Sequence, residues 1–356
     1  MSDKLASIYI WITMLVSVFV IVFMVLAGDP DSGKAVQTMD TQTVTEEMTG
    51  HFYVMDTSLA ENSLEIILPA EISEQHVTIE NDYMNKTLRI HVMKTEEKPL
   101  GVDWFYGQPF LINAQIKTAK LDEDVSGITI SLPLEAVFEW ESKYEKKGGQ
   151  NCLYLQLMRP KEKYDRIVVL DAGHGGEDAG YFVSGEDEAT VLSEEALAQR
   201  IVTETGKLLE KEGVCVYYTR MGEDNPTEEE RVALANEAQA DMFISVHADY
   251  SDDTSLYGMR TIYNETYFIP NFASADLAYL LLEKVAASTN EKAIGFEPAT
   301  GESYLIQNAM VPVAQINIGY LSNKQEQKLL SREDYVSRIA LGICEAVKAG
   351  YKEIEK

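Results

Sequence analysis

"RIVVLDAGHGG" (Arg166–Gly176) joins an apolar run to a glycine-rich loop. The run Ile167–Leu170 is apolar at every position, which is typical of a strand buried on both faces of a parallel sheet. Glycine residues after a strand let the backbone approach a ligand closely, and His174 lies among them. The stretch therefore predicts a central strand of an α/β sheet with a polar group at its carboxyl end.

The chain after this strand alternates between helical and extended patterns. Ser193 and Gly213 have the positions of an N-cap and a C′ residue around one helix, and Thr227 and Glu230 have the capping-box spacing of the next. Strands are predicted in "VCVYYTR", "DMFISVHAD" and "VPVAQINIGYLS", and further helices in "SADLAYLLLEKVAAS" and "DYVSRIALGICEAVKAGY". The alternation indicates an α/β domain over residues 165–352, with a mainly parallel sheet covered by helices on both faces.

The region before it, residues 51–160, has a different pattern. Short runs of alternating hydrophobicity such as "TLRIHVM" and "CLYLQLM" are separated by turn formers, which predicts a small all-β domain. Two of its histidines, His76 and His91, stand alone and lack metal-ligand spacing, so we interpret them as structural or solvated.

The N-terminal segment is apolar. About twenty residues without a charge are long enough to cross a bilayer. The sequence predicts a single-pass membrane protein whose bulk is extracytoplasmic, with a cytoplasmic tail (1–7), a transmembrane anchor (8–27) and a flexible stalk (28–50). The alternative is a signal peptide cleaved near Ala27, which gives a secreted protein.

Composition excludes some classes of function. The formal net charge of −28 over 356 residues argues against nucleic acid as a partner, because its phosphates would be repelled. The three cysteines are far apart and form no CxxC pair. We therefore expect small core residues rather than a thiolate metal site.

Polar residues gather where strands of the α/β domain end. His174 follows the first strand, His247 ends "FISV", and Glu194 opens the first helix. Ligands bind at the carboxyl ends of strands in such sheets. Two imidazoles and one carboxylate are a ligand set for catalytic Zn²⁺, although a histidine at a strand end is also a common loop residue.

The order of these motifs resembles that of zinc-dependent N-acetylmuramoyl-L-alanine amidases. The resemblance covers about residues 166–351 and rests on "IVVLDAGHGGEDAG", "VCVYYTR", "EEERVALANEAQADMFISVHAD", "MVPVAQINIGYLSN" and "KLLSREDYVSRIALGI". The preceding β-domain is similar to AMIN-type domains. Members of this family cut the amide between N-acetylmuramic acid and L-alanine in peptidoglycan, so the resemblance implies peptidoglycan as the partner.

The resemblance also implies a ligand set. The family's zinc ligands fall on His174, Glu194 and His247. The glutamate position has alternatives in this chain, namely the adjacent Glu195 and the upstream acids Glu186, Asp187 and Glu188.

"QINIGYLSN" (Gln315–Asn323) departs from the family pattern. On its own, the alternation predicts a half-exposed strand. In the family, the position of Asn317 is a glutamate that acts as general base and acid, and an amide has no proton to exchange near neutral pH. Glu302 and Glu177 are the first candidates to replace it, with Asp178 and Asp249 as further loop acids.

Two functions remain. One is a zinc hydrolase acting slowly on peptidoglycan, and the other is an inactive homologue that binds zinc and peptidoglycan in a structural or regulatory role. A purely structural protein without zinc is a third option. If Asn317 disables proton transfer, Asn317→Glu is expected to raise the release of stem peptides.

Overall fold

The computed structural model describes residues 51–56, 62–68, 72–94, 101–104, 115–122, 125–147, 149–184, 191–301 and 303–356. The predicted tail, anchor and stalk lie outside these residues. Within the described part of the chain, no helix is both long enough and apolar enough to span a membrane.

Strands β1 to β9 occupy the first part of the described chain. They are β1 (His51–Asp56), β2 (Ser63–Leu68), β3 (Val77–Asp82), β4 (Thr87–Lys94), β5 (Gly101–Trp104), β6 (Gln115–Asp122), β7 (Val125–Pro133), β8 (Glu139–Lys147) and β9 (Gln150–Met158). A 3₁₀ turn, Glu74–His76, precedes β3. The region forms a five-stranded sheet in the order β5-β1-β2-β9-β8 and a four-stranded sheet in the order β3-β4-β7-β6.

One apolar core joins these two sheets. Alternate residues such as Leu64 and Leu155 from one sheet and Ile90 and Ile130 from the other form a single buried cluster. Period-two alternation therefore places one face of each sheet against the other. His76 contacts Ser73, and His91 contacts Thr129 and Glu80, so both are occupied in local contacts.

The second part of the described chain alternates between strands and helices. Its strands are β10 (Ile167–Ala172), β11 (Phe182–Ser184), β12 (Val191–Ser193), β13 (Cys215–Tyr218), β14 (Met242–Asp249), β15 (Met259–Tyr263), β16 (Phe268–Ile269), β17 (Phe272–Ala273), β18 (Ala293–Pro298) and β19 (Val313–Tyr320). Its helices are α1 (Pro160–Lys163), α2 (Glu194–Lys211), α3 (Glu228–Ala238), α4 (Ser274–Thr289), α5 (Tyr304–Asn308), α6 (Lys324–Leu330) and α7 (Glu333–Ile354).

A six-stranded sheet in the order β13-β10-β14-β19-β15-β18 organises this part. Pairing is parallel except between β15 and β19, which run antiparallel. The α/β prediction is confirmed, and the sheet is mixed. Ser193 caps α2 by accepting a hydrogen bond from Ala196 N, and Thr227 and Glu230 form the predicted capping box at α3.

Helices cover both faces of the six-stranded sheet, and β10 is therefore buried on both of its faces. Val168 and Leu170 pack in one core with residues of α2, α4 and α7. Ile167 and Val169 point to the opposite face and pack with residues of α3 and α5. The carboxyl ends of β10 and β14 therefore remain between these layers, where the predicted site residues lie.

The β-sheets of the first part pack against the edge of this six-stranded sheet. Val137 joins the core on the α3 side, and the edge strand β13 donates a hydrogen bond from Tyr218 N to the Tyr83 hydroxyl at 3.0 Å. The buried carboxylate of Glu139 accepts a hydrogen bond from the Tyr217 hydroxyl at 2.6 Å. An otherwise open sheet edge is thereby covered.

Candidate metal centre

The carboxylate of Glu194 lies at the centre of the site. Its Oε1 atom is 3.1 Å from His174 Nε2 and 2.9 Å from His247 Nδ1. Backbone amides complete its contacts, with Ala248 N donating to Oε1 and Tyr181 N donating to Oε2. One ligand atom from each of His174, Glu194 and His247 lies within 4.8 Å of the others, so the structure brings the three predicted residues together.

Electrostatics in this cluster favour an ionised glutamate. Glu194 is 2% exposed, and burial alone would raise its pKa, but hydrogen bonds from His174 and His247 outweigh burial and hold the pKa well below its usual range. Burial would lower the pKa of His174, whereas hydrogen bonds to Glu194 and Asp178 raise that pKa to about 9. A fixed carboxylate therefore faces two imidazole rings.

His174 is held in an uncommon backbone conformation. Its φ of 63° lies in the left-handed region, which costs free energy for a residue with a side chain. Arg231 donates a hydrogen bond to the His174 carbonyl at 2.8 Å, and Asp178 accepts one from His174 Nδ1 at 2.9 Å. These two contacts fix the backbone and the ring, and they direct Nε2 toward Glu194.

His247 lies at the end of β14 and packs against the glycine-rich loop. A Cβ atom at Gly173 would lie 2.2 Å from His247 Cε1, so only glycine leaves room for the imidazole ring. The rings of His174 and His247 are 5.0 Å apart between centroids. The glycine predicted to allow close approach therefore accommodates the side chain of His247.

The donor set fits a zinc ion. Two imidazole nitrogens and one carboxylate oxygen converge, which are the ligand types of catalytic zinc sites. The hydrogen bond from His174 Nδ1 to Asp178 is the outer contact that orients histidine ligands in such sites. Glu194 is anionic at neutral pH, so its charge would attract a cation.

Comparison with known proteins identifies the family. The family model described as N-acetylmuramoyl-L-alanine amidase matches residues 168–349, about half of the chain. The chain belongs to this amidase family. The prediction made from the motifs is confirmed at that level.

Curated relatives share this region. N-acetylmuramoyl-L-alanine amidase LytC of Bacillus subtilis is 28% identical over 185 residues, which are 52% of this chain and 35% of LytC. The germination-specific N-acetylmuramoyl-L-alanine amidase of Bacillus subtilis is 29% identical over 200 residues, 53% of this chain and 81% of the relative. The match therefore spans about a third of LytC.

Part of the chain is also similar to solved structures. The catalytic domain of CwlV, an N-acetylmuramoyl-L-alanine amidase from Bacillus (Paenibacillus) polymyxa var. colistinus, is 26% identical with a TM-score of 0.47. The match covers 53% of this chain and 99% of that domain.

Asn317, at the position predicted for the family's glutamate, is 3% exposed, so the prediction of a half-exposed strand is wrong here. It pairs with His247 on β14 and with Arg260 on β15. Asn317 Nδ2 donates to Asp249 Oδ1 at 2.6 Å, and Asn317 Oδ1 accepts from Gln315 Nε2 at 2.7 Å. These two polar partners, one on β14 and one on β19 itself, explain why an amide is buried there.

Asp249 is engaged on both of its oxygens. Arg260 donates to Oδ2 from Nε and to Oδ1 from Nη2, each at 2.7 Å, and Asn317 also donates to Oδ1. Such a bidentate, charge-assisted contact holds the carboxylate as an anion. Asp249 is therefore a poor candidate for the missing proton carrier.

The other candidate acids occupy different positions. Glu195 forms an ion pair with Arg220 at 2.9 Å instead of facing the histidines, and Asp178 orients His174. Glu177 is exposed on the glycine-rich loop. Glu186, Asp187, Glu188 and Glu302 lie outside the described residues.

Two buried arginines were missed by the sequence analysis. Arg220 donates to the carbonyls of Ala172 and Gly173 at 2.9 Å each, and Arg231 forms an ion pair with buried Asp171 at 2.6 Å. Together they hold the backbone of the glycine-rich loop. Their only sequence signals were the charges inside "VCVYYTR" and "EEERVALAN", in places where arginine is usually exposed.

Proposed function

We propose that the protein is a zinc-dependent peptidoglycan amidase that cuts the bond between N-acetylmuramic acid and L-alanine, and that it does so slowly. The observation that carries this proposal is the convergence of His174, Glu194 and His247 on one point, within a chain that belongs to the amidase family. Because the match covers only 35% of LytC, the activity of the whole protein is part of the proposal and has to be tested.

The residues of the chain would divide the work as follows. His174, Glu194 and His247 would hold the zinc ion, and Asp178 would keep the His174 ring in position. When bound, zinc supplies a Lewis acid for the scissile carbonyl. Asn317 would accept or donate hydrogen bonds but could not carry the proton to the leaving nitrogen. Because general acid–base catalysis contributes about 10²–10⁴-fold, hydrolysis would be slow by that factor.

A second function is a wall-binding or regulatory protein that holds zinc and peptidoglycan without turnover. The network of Gln315, Asn317, Asp249 and Arg260 favours it, because each polar group at the position of the missing base already has a partner. The zinc site would then serve substrate binding alone.

The cellular location proposed is the outer face of the cell membrane, which is where peptidoglycan lies. The apolar segment 8–27 supports an anchor, and cleavage near Ala27 with secretion is the alternative. The similarity of the first β-sheets to AMIN-type domains stays a prediction.

Zinc content and peptide release together test this proposal. The full chain, solubilised in detergent, is stripped of metal, loaded with zinc and dialysed, and we expect about one zinc per chain. His247→Ala should lose the metal, whereas His91→Ala should keep it, because His91 contacts Thr129 and Glu80 on the β-sheets. Absence of zinc in the wild type would contradict the proposal.

Stem-peptide release from purified peptidoglycan distinguishes the two functions. Slow release that disappears in His247→Ala supports the hydrolase. Co-sedimentation with peptidoglycan without any release supports the binding protein.

A further inference from the structure

Two exposed tyrosines form a stacked pair beside the metal centre. The rings of Tyr181 and Tyr250 are 4.9 Å apart between centroids and inclined by 12°. Tyr181 is 50% exposed and Tyr250 is 44% exposed. Each ring therefore stacks on one face of the other, and about half of each residue stays exposed to solvent.

The backbone fixes this pair next to the ligand residues. Tyr181 N donates to Glu194 Oε2 at 3.1 Å, and Glu194 N donates to the Tyr181 carbonyl at 2.8 Å. Tyr250 directly follows Asp249, whose carbonyl accepts a hydrogen bond from Leu321 N at 2.7 Å. Both tyrosines are therefore attached to the rigid elements that carry the site.

Exposed aromatic surface at the rim of a site usually contributes to binding. The flat outer face of a tyrosine ring packs well against the C–H groups of a pyranose ring, and nearby carboxylates accept hydrogen bonds from hydroxyl groups. Asp252 and Asp253 follow Tyr250 in the chain. These acids and the net charge of −28 disfavour an anionic ligand.

We propose that Tyr181 and Tyr250 form a saccharide-stacking subsite that binds N-acetylated sugars of the glycan strand beside the metal centre. The proposal rests on the proposed function, since it assigns part of the same substrate to a named surface. The stacked pair binds the sugar ring through apolar contact, so this binding requires neither zinc nor cleavage. The stem peptide would lie toward His174 and His247.

The test uses a hexamer of N-acetylglucosamine, which is neutral and carries no stem peptide. It is titrated calorimetrically into the full, detergent-solubilised chain in the presence of a zinc chelator. We expect Tyr181→Ala and Tyr250→Ala each to weaken binding about tenfold, which corresponds to about 1.4 kcal/mol, because each variant removes one stacking face. Tyr181→Phe should bind as the wild type does, because it keeps the ring face.

Tyr279→Ala is the matched control. Tyr279 is an exposed tyrosine on α4 that contacts Phe296 and not the site, so its loss should leave binding unchanged. No binding of the hexamer by the wild type, unchanged binding in both alanine variants, or equal loss in Tyr181→Phe would each overturn the proposal. A tyrosine-dependent response to a free stem peptide instead of the hexamer would overturn it as well. Zinc content and stem-peptide release are measured separately from hexamer binding. A failure of the saccharide subsite is therefore distinguishable from a failure of the proposed function.

Discussion

Asn317 Nδ2 lies 2.6 Å from Asp249 Oδ1 and donates a hydrogen bond to it. The amide therefore has a structural partner at the position where the family resemblance places a proton carrier. Asp249 is 8% exposed and is also bound by Arg260. Asparagine and aspartate on neighbouring strands thus form a matched donor and acceptor pair.

This pair changes what Asn317→Glu is expected to do. Alone, the substitution places two carboxylates in contact in a buried site, which raises the pKa of one of them and removes a donor from Asp249. We expect a loss of about 1–3 kcal/mol in the free energy of unfolding and little gain in activity. The measurements are chemical denaturation and stem-peptide release from purified peptidoglycan.

In the double variant Asn317→Glu/Asp249→Asn, the donor and the acceptor exchange positions, so that the amide at position 249 donates to the carboxylate at position 317. This exchange returns a donor opposite the new carboxylate, so we expect the single variant's stability loss to be recovered in part, because the ion pair of Arg260 with Asp249 is lost. Stem-peptide release should rise about 10²–10⁴-fold above wild type. Asp249→Asn alone is the control, since it lacks a carboxylate at position 317. Release by the wild type at the rate of the double variant would show that Asn317 does not limit the reaction.

Much of the fold was predictable because its signals are local. Ser193 and Thr227 cap helices with their own side chains, and the first four residues of β10 are apolar and buried. The two histidines were predictable as neighbours because parallel strands align their carboxyl ends. The choice of Glu194 among the adjacent acids came from the family resemblance.

Contacts between distant strands were not predictable. The Asn317–Asp249 hydrogen bond depends on the pairing of β14 with β19, which sets Asn317 opposite His247, and the antiparallel pairing of β15 with β19 carries Arg260 into the same network. Alternation in one strand does not encode either feature. The sequence pattern around Asn317 therefore predicted a half-exposed residue, although Asn317 is buried.

Asp178→Ala tests how the His174 ring is oriented. Asp178 accepts a hydrogen bond from His174 Nδ1 at 2.9 Å, and loss of such an outer contact typically costs about 10–100-fold in metal affinity. We expect that loss in a competition titration against a zinc chelator. Asp252→Ala, an exposed acid, is the control and should bind zinc like the wild type. Equal affinities in the two variants would mean that Asp178 does not position His174.

Gly173→Ala tests the packing of His247. The added methyl group would lie 2.2 Å from His247 Cε1, so the imidazole ring must move. Overpacking of this kind lowers the free energy of unfolding by about 1–3 kcal/mol. We expect zinc affinity to fall while the circular dichroism spectrum stays native. Gly301→Ala adds the same methyl group in open space and should change neither property. Retained zinc affinity in Gly173→Ala would show that His247 is not a ligand in its present position.

Glu139→Ala tests the attachment of the β-sheets to the six-stranded sheet. Glu139 accepts a hydrogen bond from the Tyr217 hydroxyl at 2.6 Å and lies 3.4 Å from Lys163 Nζ, so its removal leaves a buried hydroxyl and an ammonium group without this partner. We expect a loss of about 1–3 kcal/mol in the free energy of unfolding, measured by chemical denaturation. Glu141→Ala, on the exposed part of the same strand, should lose less than about 0.5 kcal/mol. Equal effects of the two substitutions would mean that Glu139 does not stabilise this interface, and its attachment would then rest on other contacts such as the Tyr218–Tyr83 hydrogen bond and the packing of Val137.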